Sequence, residues 1–112
     1  MLLLLAALTC TAPFDDGSFY KLEAAVKDSR IQGDVKFSYV TNDGLDLKAK
    51  MKVSRQEISG KSIVIEAGNG NMAIKAGADY WAEDRNYQGA LAVSFNYDGT
   101  PPVEAVMTCE LK

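Results

Sequence analysis

Two cysteines, Cys10 in ALTCTAP and Cys109 in VMTCELK, are the only thiols in the chain, and histidine is absent. A cysteine or serine nucleophile needs a neighbouring base, and the commonest base is therefore missing. Ser59-Gly60 lacks the flanking residues of a nucleophile elbow. Glu66, Glu83 and Asp84 could share a proton only if the fold gathered them, and their setting is that of solvated charges. Asp15, Asp16, Asp43 and Asp46 are hard oxygen ligands, but their spacing matches no calcium loop, and aspartate in an Asp-Gly turn is explained by backbone hydrogen bonding. Gly68-Asn69-Gly70-Asn71 lacks phosphate-loop spacing and reads as a hairpin turn. The expectation is a non-catalytic protein without metal or cofactor.

Binding chemistry is better represented. Lys48, Lys50 and Lys52 alternate with apolar residues and form a basic stripe. Such a stripe fits an acidic partner, but the reading preferred from sequence is a soluble outer face guarded against aggregation. Trp81, in YWAEDRNY, falls on the outward face with Glu83, while Tyr80 and Tyr87 fall on the inward one. An outward tryptophan beside a turn is a candidate contact for a protein or a carbohydrate.

The elements that carry these residues follow from alternation. In LDLKAKMKV, Leu45, Leu47, Ala49, Met51 and Val53 share one face, and Asp46, Lys48, Lys50 and Lys52 share the other. A period of two marks a half-buried strand, and no stretch has a helical period. Turn chemistry then pairs the strands. An Asn42-Asp43-Gly44 loop opposes Tyr39 to Leu47, Phe37 to Ala49 and Val35 to Met51, and places Lys36 opposite Lys50. A loop at Asp15-Asp16-Gly17 opposes Ala12 to Tyr20 and Cys10 to Leu22. Asn69-Gly70 predicts Ala67 opposite Met72 and Ile65 opposite Ile74. The EDRN turn predicts Ala82 opposite Tyr87, with a bulge at Gly77. A five-residue YDGTPPV loop predicts Tyr97 opposite Val103 and Leu91 opposite Cys109. The outcome is about eight antiparallel strands, near 8–12, 19–27, 34–41, 45–54, 62–67, 71–82, 87–97 and 103–111. Polar links lie at KDSRIQG and SRQEISG.

Cys10 and Cys109 both fall on the inward face. Bridging them requires the first strand to meet the last, which closes an up-and-down meander into a small barrel and removes its exposed edges. The alternative is a flattened two-sheet sandwich with free thiols. Small inward residues (Ala24, Ala49, Ala67, Ala76, Ala105) opposite large ones (Phe37, Tyr39, Phe95, Tyr97) suit a filled interior, although a barrel of this size can also hold one small ligand.

Composition bounds the partners and the compartment. Hydrophobic residues make up 47% and charged residues 24% of the 112-residue chain, ordinary values for one globular domain. Twelve basic against fifteen acidic residues, net −3, argue against a nucleic-acid partner. MLLLLAAL is much shorter than the ~20 residues a membrane-spanning helix needs. It resembles the apolar core of a truncated secretion signal, with cleavage after Ala6 or Ala7, so residues 1–7 read as signal and 8–112 as a single barrel domain. Two other readings stand beside it: the leucines belong to the first strand, or Cys10 is the lipid acceptor of a lipoprotein. An even cysteine count in an exported chain favours the disulfide and a periplasmic or extracellular location.

The cysteine placement, FSYVTNDGLDLK and the following ISG together resemble the small periplasmic inhibitors of c-type lysozyme, the MliC type. The resemblance implies an eight-stranded barrel bridged between early and late strands. It sets the family's Ser-Gly-x-x-Tyr motif on Ser59-Gly60-Lys61-Ser62-Ile63, with Ile63 where the family has tyrosine, and no match to the second motif follows Tyr80-Trp81. The functional expectation is an exported barrel that binds a protein partner, as an inhibitor does, or carries a small apolar ligand.

Overall fold

The strands are longer than the alternation alone suggests, because two of them continue through bulges that break it. The computed structural model describes residues 6–95 and 101–112. Eight strands follow in chain order: β1 (Ala6–Pro13), β2 (Phe19–Lys27), β3 (Arg30–Val40), β4 (Asp46–Ile58), β5 (Ser62–Gly68), β6 (Met72–Trp81), β7 (Asn86–Phe95) and β8 (Val103–Leu111). Each pairs antiparallel with its neighbours, and β8 returns to β1, so the sheet is a closed barrel rather than a sandwich.

Two turns hold the expected residues in the expected register. Gly17 and Gly44 take the left-handed conformation, each with φ of 92°, at the ends of loops closed by Phe14 N–H donating to Ser18 O and Thr41 N–H to Leu45 O, both at 2.8 Å. Cys10 opposes Leu22, and Tyr39 opposes Leu47.

Three registers differ from expectation, each by an even number of residues. Ile65 opposes Ala76 and Ala67 opposes Ile74, because the β5–β6 turn tip is Gly70-Asn71. Asn69 moves the tip: its side-chain Oδ1 accepts from the N–H groups of Asn71 (2.8 Å) and Met72 (3.0 Å). At the next turn Tyr80 opposes Tyr87, Trp81 opposes Asn86, and Arg85 takes the left-handed position. Leu91 opposes Ala105, and Cys109 opposes Tyr87, so the β7–β8 connection is longer than five residues; the expected Tyr97 pairing lies outside the described residues. Even shifts leave every side chain on its predicted face.

The links at KDSRIQG and SRQEISG are not links. Asp28 and Ser29, with φ of 54° and 62°, form a two-residue hairpin turn, and β3 begins at Arg30. β3 then bulges around Gly33 (φ 79°), opposite Ala24. In β4 a one-residue bulge at Ser54 transfers the inward face from odd to even positions, so that Ile58 is buried against Ile63. The expected bulge at Gly77 is not there: β6 pairs continuously with β7.

β1 begins at Ala6, earlier than expected. Ala6 opposes Val26, and Ala7 exchanges backbone hydrogen bonds with Lys112 at 2.7 and 3.0 Å. Residues 1–5, the rest of the apolar opening, lie outside the described residues. No described element is a helix, so none is a helix long and apolar enough to cross a membrane. The interior is filled by Leu8, Leu22, Val35, Met51, Ile63, Ile65, Ile74, Leu91, Val93 and Met107, each buried to 1% exposure or less.

Candidate functional site

Cys10 and Cys109 form a disulfide, their Cα atoms 4.0 Å apart. Hydrogen-bonded and non-hydrogen-bonded pairs alternate along an antiparallel ladder. Ala7 and Lys112 form a hydrogen-bonded pair, so Cys10 and Cys109, three pairs on, fall at a non-hydrogen-bonded one, where facing side chains are closest. Both cysteines are buried and are spent as a structural link.

The carboxylates do not converge. Glu66 lies on the outer face of β5 with Arg55 at 3.4 Å. Glu83 and Asp84 lie in the β6–β7 turn, where Asp84 accepts from the Gln88 amide at 2.7 Å. Asp16 and Asp43 are turn residues. Hydrogen bonds from the Ser18 and Thr41 hydroxyls, with weaker backbone bonds, hold both carboxyls below the usual value. Ser59 caps the β4–β5 turn, its Oγ accepting from the N–H groups of Lys61 and Ser62 at 3.1 Å. The Tyr87 hydroxyl donates to Ser59 O at 2.7 Å. Ser59, Lys61 and Ser62, on which the resemblance sets the inhibitor motif, are thus spent on closing a turn that Tyr87 ties to β7.

Trp81 is 53% exposed, as its outward position predicts, at the barrel end that carries the β2–β3, β4–β5 and β6–β7 turns. Tyr80 was expected in the core but sits at the rim, 42% exposed, with its ring 5.1 Å from that of buried Tyr87. The lysine stripe is elsewhere. Lys48 and Lys50 lie on the outer face of the β3–β4 hairpin toward the opposite end, with Lys36 directly opposite Lys50 and Lys52 next along the strand. Lys48 has Asp46 at 3.8 Å, and Lys36, Lys50 and Lys52 have no ion-pair partner among the described residues. Trp81 and the stripe therefore do not form one site.

The feature that the sequence concealed is at the stripe's end of the barrel. β4 pairs with β5 only from Lys52 opposite Gly68 onward, so the β3–β4 hairpin projects past its neighbour. Leu45 and Leu47, expected on the buried face, are consequently 56% and 52% exposed. Behind them lies a recess of about 410 Å³ walled by Tyr20, Phe37, Tyr39, Leu47, Ala49, Met72 and Phe95, with the Lys48 side chain at its edge. Tyr20 is the hub of its wall, with ring centroids 5.0 Å from Phe14, 5.1 Å from Phe37 and 5.5 Å from Tyr39. Burial, with Tyr39 beside it, pushes the Tyr20 phenol up. A second depression of about 450 Å³ surrounds the β3 bulge, but there Glu23, Asp34, Lys36 and Lys112 stand among Leu8 and alanines, and no aromatic ring lines it. Set against known proteins, this chain matches no family model, no curated protein and no solved structure.

Proposed function

We propose that this protein is an exported, non-catalytic binding module, and that its site is the apolar recess at the tip of the projecting β3–β4 hairpin. The observation that carries this reading is the contrast between a filled barrel and one open, aromatic-walled recess of about 410 Å³. That size and lining belong to sites that take an apolar group. The ligand class is thus an apolar side chain of a partner, or an apolar molecule of similar size, seated in the mouth of the barrel and not in its centre. Export is supported by the Cys10–Cys109 disulfide, a link characteristic of oxidising compartments, and by the apolar opening of the sequence.

The test is titration of the folded, bridged protein with a solvatochromic apolar dye. The expected result is saturable uptake with a blue-shifted emission, weakened about tenfold by Leu47→Asp, which sets a charge at the lip of the recess. Leu47 is half-exposed, so the variant keeps the fold. Absence of dye uptake by the wild-type protein would overturn the assignment.

A further inference from the structure

The projecting hairpin leaves more than an apolar recess open; it leaves a strand edge. Thr41 N–H donates to Leu45 O across the β3–β4 turn, which makes 41 and 45 a hydrogen-bonded pair. Counting along the ladder, Leu47 and Ala49 bond to β3, while the N–H and C=O groups of Asp46, Lys48 and Lys50 point the other way. In keeping with that direction, the Asn69 side-chain amide, from the β5 side, donates to Lys50 O at 3.3 Å. β5 joins only at Lys52, so among the described residues no strand pairs with Asp46–Lys50 on that side. An open edge of this kind is a template for an added strand.

Charge indicates which strand. Lys36, Lys48, Lys50 and Lys52 crowd the outer face of this hairpin; Glu23 and Asp34 stand beside Lys36 and Asp46 lies 3.8 Å from Lys48, so the excess of positive charge falls on β4, from Lys48 to Lys52. In the same face Ser38 stands between Lys21 and Lys48 in one cross-strand row. It is 1% exposed, and its hydroxyl has no hydrogen-bond partner among the described residues. That row carries two lysines and no carboxylate of its own. A second copy meets these charges less fully: a two-fold register centred on Leu47 sets Asp46 against Lys48 but leaves Lys50 facing Gly44, and registers centred on Lys48 or Ala49 set lysine against lysine.

We propose that the Asp46–Lys50 edge takes an extended acidic segment of a protein partner as an added strand. Its alternate apolar side chains lie beside Leu47 and Ala49 over the recess, and its carboxylates lie beside Lys48 and Lys50. This deepens the recess assignment and rests on it for the apolar half of the contact.

The probe is a capped nonapeptide of alternating valine and glutamate, with its valine–lysine counterpart as control. Amide exchange followed by NMR is expected to show new protection at Asp46, Lys48 and Lys50 with the glutamate peptide only. Lys48→Pro removes an outward N–H but no bond to β3, and is expected to abolish binding. The double variant Lys48→Glu/Lys50→Glu, which leaves the backbone untouched, is expected to weaken binding about tenfold by turning two cross-strand attractions into repulsions. Equal binding of both peptides, or no protection at the three amides, would overturn the proposal. A dimer in sedimentation equilibrium without peptide, lost in Lys48→Pro, would overturn it in favour of a second copy. Dye uptake by the recess with unprotected edge amides would sink the strand addition alone.

Discussion

At the scale of single residues, the structure separates polar groups that are satisfied from one that is not. Ser38 keeps a buried hydroxyl without a partner among the described residues. Ser38→Ala is expected to raise stability by about 1 kcal/mol in urea unfolding, since an unmade buried hydrogen bond costs at least that much. Tyr87 is the opposite case. Its hydroxyl reaches Ser59 O, and Tyr87→Phe is expected to cost about 1 kcal/mol at neutral pH. Burial, helped by Tyr39 and Tyr80 respectively, raises the phenols of Tyr20 and Tyr87 above the usual 10.0. A raised folded value means the native state holds the proton more tightly. Their contribution is therefore intact below pH 10.0 and is lost as pH climbs through the higher folded values. Alkaline titration of the unfolding midpoint should show this fall, and the Tyr20→Phe/Tyr87→Phe variant should show less of it. Asp16 and Asp43, held below 3.8, act in the opposite sense: their contribution is present above that value and fades as pH drops below it. The residue types at the turns were legible because Asp-Gly chemistry is local. The burial of Ser38 was not, because on an outer strand face it depends on which long side chains lie across it.

At the scale of strands, alternation gave each side chain its face but left the registers free to slide by even steps. Ile65 against Ala76 and Leu91 against Ala105 illustrate this, since both members of each pair were already on the inward side. The β4 bulge shows the converse. One extra residue at Ser54 ended the apparent period, and Arg55–Ile58 read as a link although they are strand. Glycine roles were likewise undecidable from spacing. Gly77, the expected bulge, has open space where a Cβ would go, whereas at Gly89 a Cβ would lie 1.9 Å from Gly77 O and 2.6 Å from Ala78 Cα. Gly89→Ala is accordingly expected to destabilise the β6–β7 ladder by about 1–3 kcal/mol, the range for overpacking, since backbone atoms must give way. Gly77→Ala should be neutral or slightly stabilising, because it removes only unfolded-chain freedom. Paired urea titrations of the two variants check this.

At the scale of the whole molecule, closure is the decisive event. β1 and β8 pair over Leu8–Thr11, and the disulfide locks that seam across a sequence separation of 99 residues. The chain-entropy argument gives a stabilisation of about 4–5 kcal/mol for a loop of this length. Cys10→Ser/Cys109→Ser is expected to lose an amount of that order, and the wild-type protein in reductant should behave alike in the same unfolding assay. Loss of less than about 1 kcal/mol would mean that the seam is held by strand pairing alone.

By itself the sequence determined that the chain is all-β and that its two cysteines fall on the inward face, because periodicity and turn chemistry are properties of neighbouring residues; that the cysteines meet was decided by closure of the barrel. Only the tertiary structure decided where the strands stop relative to one another. β4 outruns β5, and that mismatch in length, invisible in either strand alone, turns Leu47 from a core residue into the lip of a recess and leaves Asp46–Lys50 as an open edge.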